Sequence, residues 1–142
     1  MPLMRFMETG IAGAKIIDPS PHQDERGRFL RAWCAREFAD HGLDFLPVQA
    51  NFGFSVKKGT VRGMHFQHAP ATEAKLVRCT RGAIFDAVLD LRPESPSYGE
   101  WYGVVLTLLS QLKQKSLEYQ GAPSKVSTTG RVRRPERFGL LR

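Results

Sequence analysis

The stretch Ala83-Ile-Phe-Asp-Ala-Val-Leu-Asp-Leu91 is the clearest strand signal in the chain. It is rich in β-branched and aromatic residues, and Gly82 and Pro93 bound it on either side. Further strand-like segments, with turn formers between them, lie at residues 28–33, 75–79 and 101–107. Many short strands separated by turns predict an all-β sandwich or barrel. Strand–helix alternation and phosphate-loop glycine spacing are absent from the sequence, which argues against a Rossmann-type sheet.

The N-terminal part of the sequence fits the same fold class. Residues 6–17 contain two short apolar stretches separated by Gly10 and Gly13, which predicts two strands and a turn. Residues 18–24 are expected to form a loop because they are rich in proline and turn formers, and residues 45–55 are expected to be extended. The best helical signal spans residues 35–41 and ends near Gly42.

The net charge of +7 is concentrated near the C-terminus. Residues 108–142 contain eight Lys or Arg and two Glu, a net charge of +6, whereas residues 1–107 carry +1. We therefore divide the 142 residues into a folded domain at 1–107 and a basic tail at 108–142. The tail is predicted to be irregular, with at most a weak amphipathic helix at 108–119, because it is rich in Gly, Pro, Ser, Thr and Arg.

Composition also indicates the compartment. No apolar run approaches the roughly 20 residues of a membrane-spanning helix, and the first residues lack the apolar core of a signal peptide. We expect a cytoplasmic protein that makes no membrane contact. The two cysteines, Cys34 and Cys79, do not make a disulfide framework and are expected to be small apolar core residues.

The segment Gly59-Thr-Val-Arg-Gly-Met-His65-Phe-Gln67 carries the strongest chemical signal. It is predicted to be a strand, and residues two apart on a strand share a face, so His65 and Gln67 would point together into one cavity. Lys75 opens the next predicted strand. A histidine and a lysine facing one cavity can act as a base and as an electrostatic partner for an oxyanion. On a single strand, however, a histidine is more often an ordinary hydrogen-bonded residue.

Residues 59–82 resemble the first motif of the cupin barrel, which spaces a glycine, a histidine, a second metal ligand and a closing glycine. Gln67 occupies the second ligand position, and only Glu73 is loosely placed as the usual carboxylate. Because two histidines and a carboxylate are the usual set for iron or manganese, we expect no metal site here.

Six stretches occur in the order and at the spacing of one known family, over roughly residues 6–107. They are Asp24-Glu-Arg-Gly-Arg-Phe29, Gln49-Ala-Asn51 with Ser55, Lys58-Gly-Thr-Val-Arg-Gly-Met-His-Phe-Gln67, Lys75-Leu-Val-Arg-Cys79, Gly82-Ala-Ile-Phe-Asp86, and Asp90-Leu-Arg-Pro-Glu-Ser-Pro-Ser-Tyr-Gly99 with Trp101. On these residues the chain is identified as a member of the dTDP-4-dehydrorhamnose 3,5-epimerase family, a metal-free branch of the cupins.

The resemblance implies a jelly-roll barrel (double-stranded β-helix), no cofactor, and a homodimer that acts on a dTDP-linked 4-keto-6-deoxyhexose. The activity would be epimerisation at C3 and/or C5 in the biosynthesis of dTDP-L-rhamnose-type sugars for cell-surface polysaccharide. His65 matches the family's proton-abstracting base. Lys75 matches the residue that stabilises the enolate, where a fixed ammonium acts on developing charge.

The resemblance also implies the substrate-binding residues. The matching positions are Arg26, Gln49, Asn51 and Arg62. At a further position the family has a nucleotide-contacting glutamate, whereas this chain has Arg31. Three interpretations of this charge reversal are open: Arg31 contacts the diphosphate, it adapts the site to a different nucleotide sugar, or it points outward.

The second half of the family pattern has no match after Thr107. The family has a second histidine there, a tyrosine that donates a proton on the opposite face, and an aspartate that orients the base. The tyrosines of this chain do not align to that acid, and its last aspartate is Asp90. One hypothesis is that residues after about 107 come from an altered reading frame, which translation of the source DNA in the other two frames would test.

Three functions therefore stay open from the sequence. The first is an epimerase with impaired activity. The second is a catalytically inactive cupin that binds a sugar nucleotide through Arg26, Arg62 and Lys75. The third is an interaction protein whose basic tail contacts nucleic acid, which the scarcity of aromatic residues in the tail makes the weakest.

Overall fold

The structure is a computed structural model that describes residues 4–108 and, for residues 111–114, the backbone alone. Within these residues the chain forms eight strands and one helix. They are β1 (Arg5–Glu8), β2 (Lys15–Asp18), β3 (His22–Asp24), β4 (Gly27–Phe29), α1 (Ala35–Asp40), β5 (Lys75–Arg78), β6 (Ala83–Leu89), β7 (Trp101–Thr107) and β8 (Gln111–Gln114). This content confirms the all-β prediction. The six residues of α1 are too few to cross a membrane, and the described part of the chain has no longer helix.

The largest sheet has the strand order β1-β2-β8-β5, and every neighbouring pair is antiparallel. β8 lies inside this sheet, where Leu112 is in register with Ile16 of β2 and Val77 of β5. The late strand thus joins two segments that are far apart in sequence. β5, which begins with Lys75, is an edge of this sheet within the described residues.

Two hairpins complete the described structure. β6 and β7 pair along their whole length, from Ala83 opposite Thr107 to Leu89 opposite Trp101. β3 and β4 form a three-residue ladder that closes at a tight turn. Gly27, Gly59 and Gly82 have positive φ values of 134°, 78° and 76°, which glycine adopts without the steric cost that a Cβ brings. The turns therefore explain why glycine stands at these three positions, and no further role is needed to explain it.

Two apolar clusters form the core, one on each face of the large sheet. Ile16 of β2 packs with Val88 of β6 and Leu106 of β7, whereas its neighbour Ile17 packs with Phe38 of α1 and Leu43. Successive strand residues point to opposite faces, so one strand supplies both clusters. The first cluster joins the large sheet to the β6–β7 hairpin, and Val77 of β5 packs against it as well. We call the sheet faces that meet at this cluster the inner faces.

Helix α1 anchors the second cluster through Phe38, which is fully buried. The Phe6 ring lies 5.5 Å from the Phe38 ring in an edge-on arrangement. The helix ends at Asp40, and Gly42, which follows its C-cap, has a φ of +72° and an amide that donates to the carbonyl of Ala39 at 2.9 Å. The predicted helix with its glycine end is confirmed.

Three local predictions are wrong. Residues 18–24 were expected to form a loop, but β3 starts at His22 because it can pair with β4. Residues 111–114, expected at most to be helical, form β8 because two strands flank them. Residues 59–67 form no strand, since no described strand pairs with them. The rest of the predicted tail, residues 115–142, lies outside the described residues.

A buried polar network ties the loop before β7 to the turn between β1 and β2. The Asp90 carboxylate is fully buried and accepts hydrogen bonds from Arg92 at 2.7 Å, from Ser97 at 2.6 Å and from Ser95. Arg92 also donates to the carbonyl of Ala12, whose amide donates to Ser97. Burial alone raises the pKa of Asp90, but the bonds from Arg92, Ser95 and Ser97 outweigh it and hold this pKa well below its usual range.

We expect this network to set the acid stability of the protein. Because the folded-state pKa of Asp90 is lowered, its contribution is present above the unfolded pKa of about 3.9 and is lost as pH falls below it. Asp90→Asn should lower the free energy of unfolding at pH 7 by about 1–3 kcal/mol and flatten its decline in acid. Urea denaturation between pH 7 and pH 2 measures both effects. Asp44→Asn, at an exposed position, is the control, and an equal change in that variant would contradict the assignment.

Candidate active site

Lys75 stands at the start of β5, on the edge of the large sheet. Its Nζ lies 2.8 Å from the Oε1 atom of Glu73, two residues earlier in the chain. The side chains of Lys75 and Glu73 are 37% and 43% exposed, so this ion pair is solvated and weak. The ammonium is therefore available to a ligand at little cost.

His65 lies on a long exposed segment, residues 46–68, which we call the arm. The arm has no strand or helix, and each of its residues is exposed. Gly63 has a φ of +109°, and a Cβ built there would lie 3.3 Å from Nδ1 of His65. The histidine ring thus folds back over the glycine, which leaves room for it.

Three predicted binding residues share the arm with His65. Arg62 donates to the carbonyl of Phe54 at 3.0 Å, and this bond links the second half of the arm, residues 58–68, to its first half, residues 46–57. Gln49 and Asn51 lie in the first half of the arm, and both are exposed. His65 and Gln67 also lie on the arm, which forms no strand. The face that these two residues were predicted to share is therefore not created by strand geometry.

Arg26 lies at the tip of the β3–β4 hairpin. Its amide donates to Oδ1 of Asp24 at 2.9 Å, and its guanidinium contacts Oδ2 at 2.6 Å. The bonds from Arg26 hold the pKa of Asp24 below its usual range. The Arg26 side chain is 85% exposed, so its guanidinium lies at the protein surface. An open cleft of about 470 Å³ surrounds it, lined by His22, Asp24, Arg26, Gly27, Arg28 and Phe29.

Arg31 points toward the protein rather than toward this cleft. It pairs with Glu37 of α1, whose side chain is only 5% exposed. Glu37 also accepts a hydrogen bond from the Met4 amide at 2.9 Å. Burial raises the pKa of Glu37, but the bonds from Met4 and Arg31 outweigh it and lower this pKa. Glu37, held by Arg31, therefore connects the N-terminal segment to the helix. The positive charge of Arg31 thus has a structural role.

The predicted site residues thus lie on three elements: the β3–β4 hairpin, the arm and β5. His65 and Lys75 make no hydrogen bond with each other in the part of the chain that the structure describes. His22 and Phe29 line the cleft beside Arg26, and the sequence had not assigned them a role. Among the described residues, no three His, Cys, Asp or Glu side chains are grouped so that they could hold a metal ion.

Comparisons with known proteins agree on one family. A family model described as dTDP-4-dehydrorhamnose 3,5-epimerase matches residues 8–116, a range that includes β8. The dTDP-4-dehydrorhamnose 3,5-epimerase of Methanothermobacter thermautotrophicus is 46% identical over 103 residues, which cover 72% of this chain and 55% of that protein.

Solved structures show the same likeness. NovW, a 4-keto-6-deoxy sugar epimerase from the novobiocin biosynthetic gene cluster of Streptomyces spheroides, has a TM-score of 0.73 at 40% identity, covering 81% of this chain and 59% of NovW. The dTDP-6-deoxy-D-glucose-3,5-epimerase of Legionella pneumophila, in complex with dTDP-4-keto-L-rhamnose, has a TM-score of 0.73 at 36% identity. That match covers 80% of this chain and 61% of the other.

The matches first define the class of protein. The described sheets, which share a core, belong to a cupin jelly-roll barrel, as predicted. The chain belongs to the dTDP-4-dehydrorhamnose 3,5-epimerase family. Both the predicted fold class and the predicted family are confirmed. The chain spans about half the length of the curated relatives it matches.

Paired variants test the structural role of Arg31. Arg31→Met leaves the Glu37 carboxylate without its cation, so the free energy of unfolding should fall by about 1.5–3 kcal/mol. Arg26→Met should leave the free energy of unfolding unchanged, because that side chain is 85% exposed, and it serves as the matched control. Urea denaturation measures both variants. An Arg31→Met variant as stable as the wild type would show instead that Arg31 does not serve the fold.

Proposed function

We propose that this chain acts on a dTDP-linked 4-keto-6-deoxyhexose and labilises the protons at C3 and/or C5. The observation that carries the proposal is that a chain of this family keeps both His65 and Lys75, each accessible to a ligand. The Legionella pneumophila relative, whose structure holds dTDP-4-keto-L-rhamnose, supports this substrate class. The product would enter biosynthesis of the dTDP-L-rhamnose type.

The chemistry follows from the position of the ketone. C3 and C5 flank the C4 carbonyl, so removal of either proton gives an enolate with its charge on the C4 oxygen. The His65 imidazole takes the proton as general base. The Lys75 ammonium donates to the enolate oxygen and stabilises the charge that develops there. Return of a proton to the opposite face inverts the carbon, and return to the same face regenerates the substrate.

The nucleotide end of the substrate suits the arginines. Arg26 presents an exposed guanidinium beside an open cleft, and planar guanidinium donors match diphosphate geometry. Arg62, Gln49 and Asn51 offer further exposed donors on the arm that carries His65. We propose that the arm and the hairpin bind one nucleotide sugar between them.

Inversion is the step that this chain supports least. The family's tyrosine acid and orienting aspartate have no match among residues 108–142, so within these residues the proton on the opposite face is left to water. We therefore expect proton exchange to be faster than epimerisation. A chain that binds dTDP sugar without exchange is the second candidate, and the accessible Arg26, Arg62 and Lys75 favour it over a nucleic-acid role.

Deuterium exchange tests this proposal directly. The purified protein, incubated with dTDP-4-keto-6-deoxyglucose in deuterium oxide, should incorporate deuterium at C3 or C5, as followed by NMR. His65→Ala should lower the exchange rate by roughly 10²–10⁴-fold, since it removes the base. His68→Ala is the matched control, because it removes a histidine from the same arm that has no role in the proposed reaction. Binding without exchange would leave only the second candidate, and no binding would refute both.

We further propose that the arm joins a second copy of the chain in a homodimer. Eight large apolar residues of the arm are exposed: Leu46, Val48, Phe52, Phe54, Val56, Val61, Met64 and Phe66. Exposed large apolar side chains gathered on one segment are typical of protein interfaces. A second copy would also pair the backbone groups of the arm, which pairs with none of the strands that the structure describes.

The homodimer has a measurable consequence. Phe52 is 91% exposed on the arm, so Phe52→Asp should disrupt the interface and raise the dimer dissociation constant by roughly tenfold or more. Val105→Asp adds the same charge at a 56% exposed position outside the arm and should leave the dimer intact. Sedimentation velocity over a range of concentrations measures both. A wild-type protein that stays monomeric at every concentration would contradict the homodimer.

A further inference from the structure

Asp86 is a carboxylate that neither the core nor the proposed reaction explains. It lies in the middle of β6, and its Oδ2 atom is buried without a hydrogen-bond partner among the described residues. Leaving a buried acceptor without a partner destabilises the folded state, so the position calls for a function or a missing donor. Burial raises the pKa of Asp86 above its usual value.

The strand register places Asp86 on the inner face of the β6–β7 hairpin. Asp86 is two residues before Val88, and Val88 belongs to the first core cluster. Its partner across the ladder is Val104 of β7, which packs against the same cluster. Since residues two apart on a strand share a face, the Asp86 side chain points toward the large sheet.

The same rule places Lys75 on the opposing inner face. Lys75 is two residues before Val77, which packs against the first cluster, and four before Cys79, which belongs to it. Lys75 and Asp86 therefore stand on strands whose apolar residues meet in one cluster. Lys75 now pairs with Glu73, which is exposed. A lysine on a flexible four-carbon stem can exchange one carboxylate for another.

Two charged groups share the inner face of the large sheet by the same alternation, Arg5 of β1 and Asp18 of β2, and they lie in register with each other on the two strands farthest from β5. Asp90 is the next carboxylate after Asp86 that faces inward. It already accepts hydrogen bonds from Arg92, Ser95 and Ser97. Tyr102 of β7 is in register with Val88 and packs against the apolar cluster. Lys75 is thus the cation that β5 offers to the inner face, because Arg78 falls on the other face of that strand.

We propose that Asp86 is a positioning residue for Lys75: its carboxylate receives the ammonium when the lysine turns from Glu73 toward the inner faces, and holds it where the enolate oxygen forms. The role of Lys75 rests on the proposed function, whereas the contact between the two residues does not. Asp86 fixes the ammonium in one direction, and the second and third N–H donors stay free for the substrate oxygen. The pairing also supplies the donor that Oδ2 lacks.

A titration tests the contact without any activity. The ¹³Cγ resonance of Asp86, followed with pH, reports its pKa in the wild type, in Lys75→Met and in the control Lys57→Met, whose lysine lies on the arm. Removing a nearby cation raises the pKa of a carboxyl group, so Lys75→Met should raise the pKa of Asp86 further. Lys57→Met should leave it unchanged. An equal pKa in the wild type and Lys75→Met would overturn the proposal.

A kinetic comparison tests the positioning role. Asp86→Asn, which keeps the size of the side chain, should slow exchange at C3 and C5 by roughly 10²-fold through misplacement of the ammonium, with KM unchanged. Glu73→Gln, which removes the other carboxylate, should change the rate little. Wild-type exchange in Asp86→Asn, or a larger loss in Glu73→Gln, would overturn the role. If wild-type protein shows no exchange while Lys75→Met still shifts the Asp86 titration, the proposed function fails and the contact stands.

Discussion

The opposite orientation of Ile16 and Ile17 on β2 is the constraint on which the rest of the structure depends. One residue packs toward the β6–β7 hairpin and the other toward α1, so a single strand holds two core clusters together. A shift of one residue in the β2 register would exchange the two faces and disrupt both clusters. The same alternation along β5 directs Val77 to one cluster and Leu76 to the other.

This alternation also decides where polar groups can reach the space between the sheets. Every second residue of β5 and β6 faces inward, and most of these residues are apolar. Lys75 and Asp86 are the polar exceptions, and both stand at inward positions of strands whose order in the sheet is set by the core. The candidate chemistry therefore depends on the same register that stabilises the fold. His65 differs, because no strand among the described residues pairs with the arm that carries it and fixes its position.

Local sequence predicted the elements whose determinants are local. The helix at 35–41 follows from its own spacing and from Gly42, and β7 follows from its β-branched residues. β8 was missed because its strand form depends on β2 and β5, which are distant in the chain. Residues 59–67 of the arm were expected to form a strand because their composition suits one, yet a strand also requires a partner. The family motif can be read directly from the sequence. The inward position of Asp86 opposite Lys75, by contrast, follows only from the register of β5, β6 and β7.

The ion pair between Arg31 and Glu37 shows how the fold uses a positive charge at a position where the resemblance implies a glutamate. A glutamate at this position would face Glu37, and two carboxylates would share a site that is almost closed to water. Arginine instead neutralises Glu37, and Glu37 binds the Met4 amide that leads into β1. Residues 31 and 37 therefore form a compensating pair within this chain. Because β1 borders β2, this pair supports the edge of the sheet whose register the core and the candidate site both require.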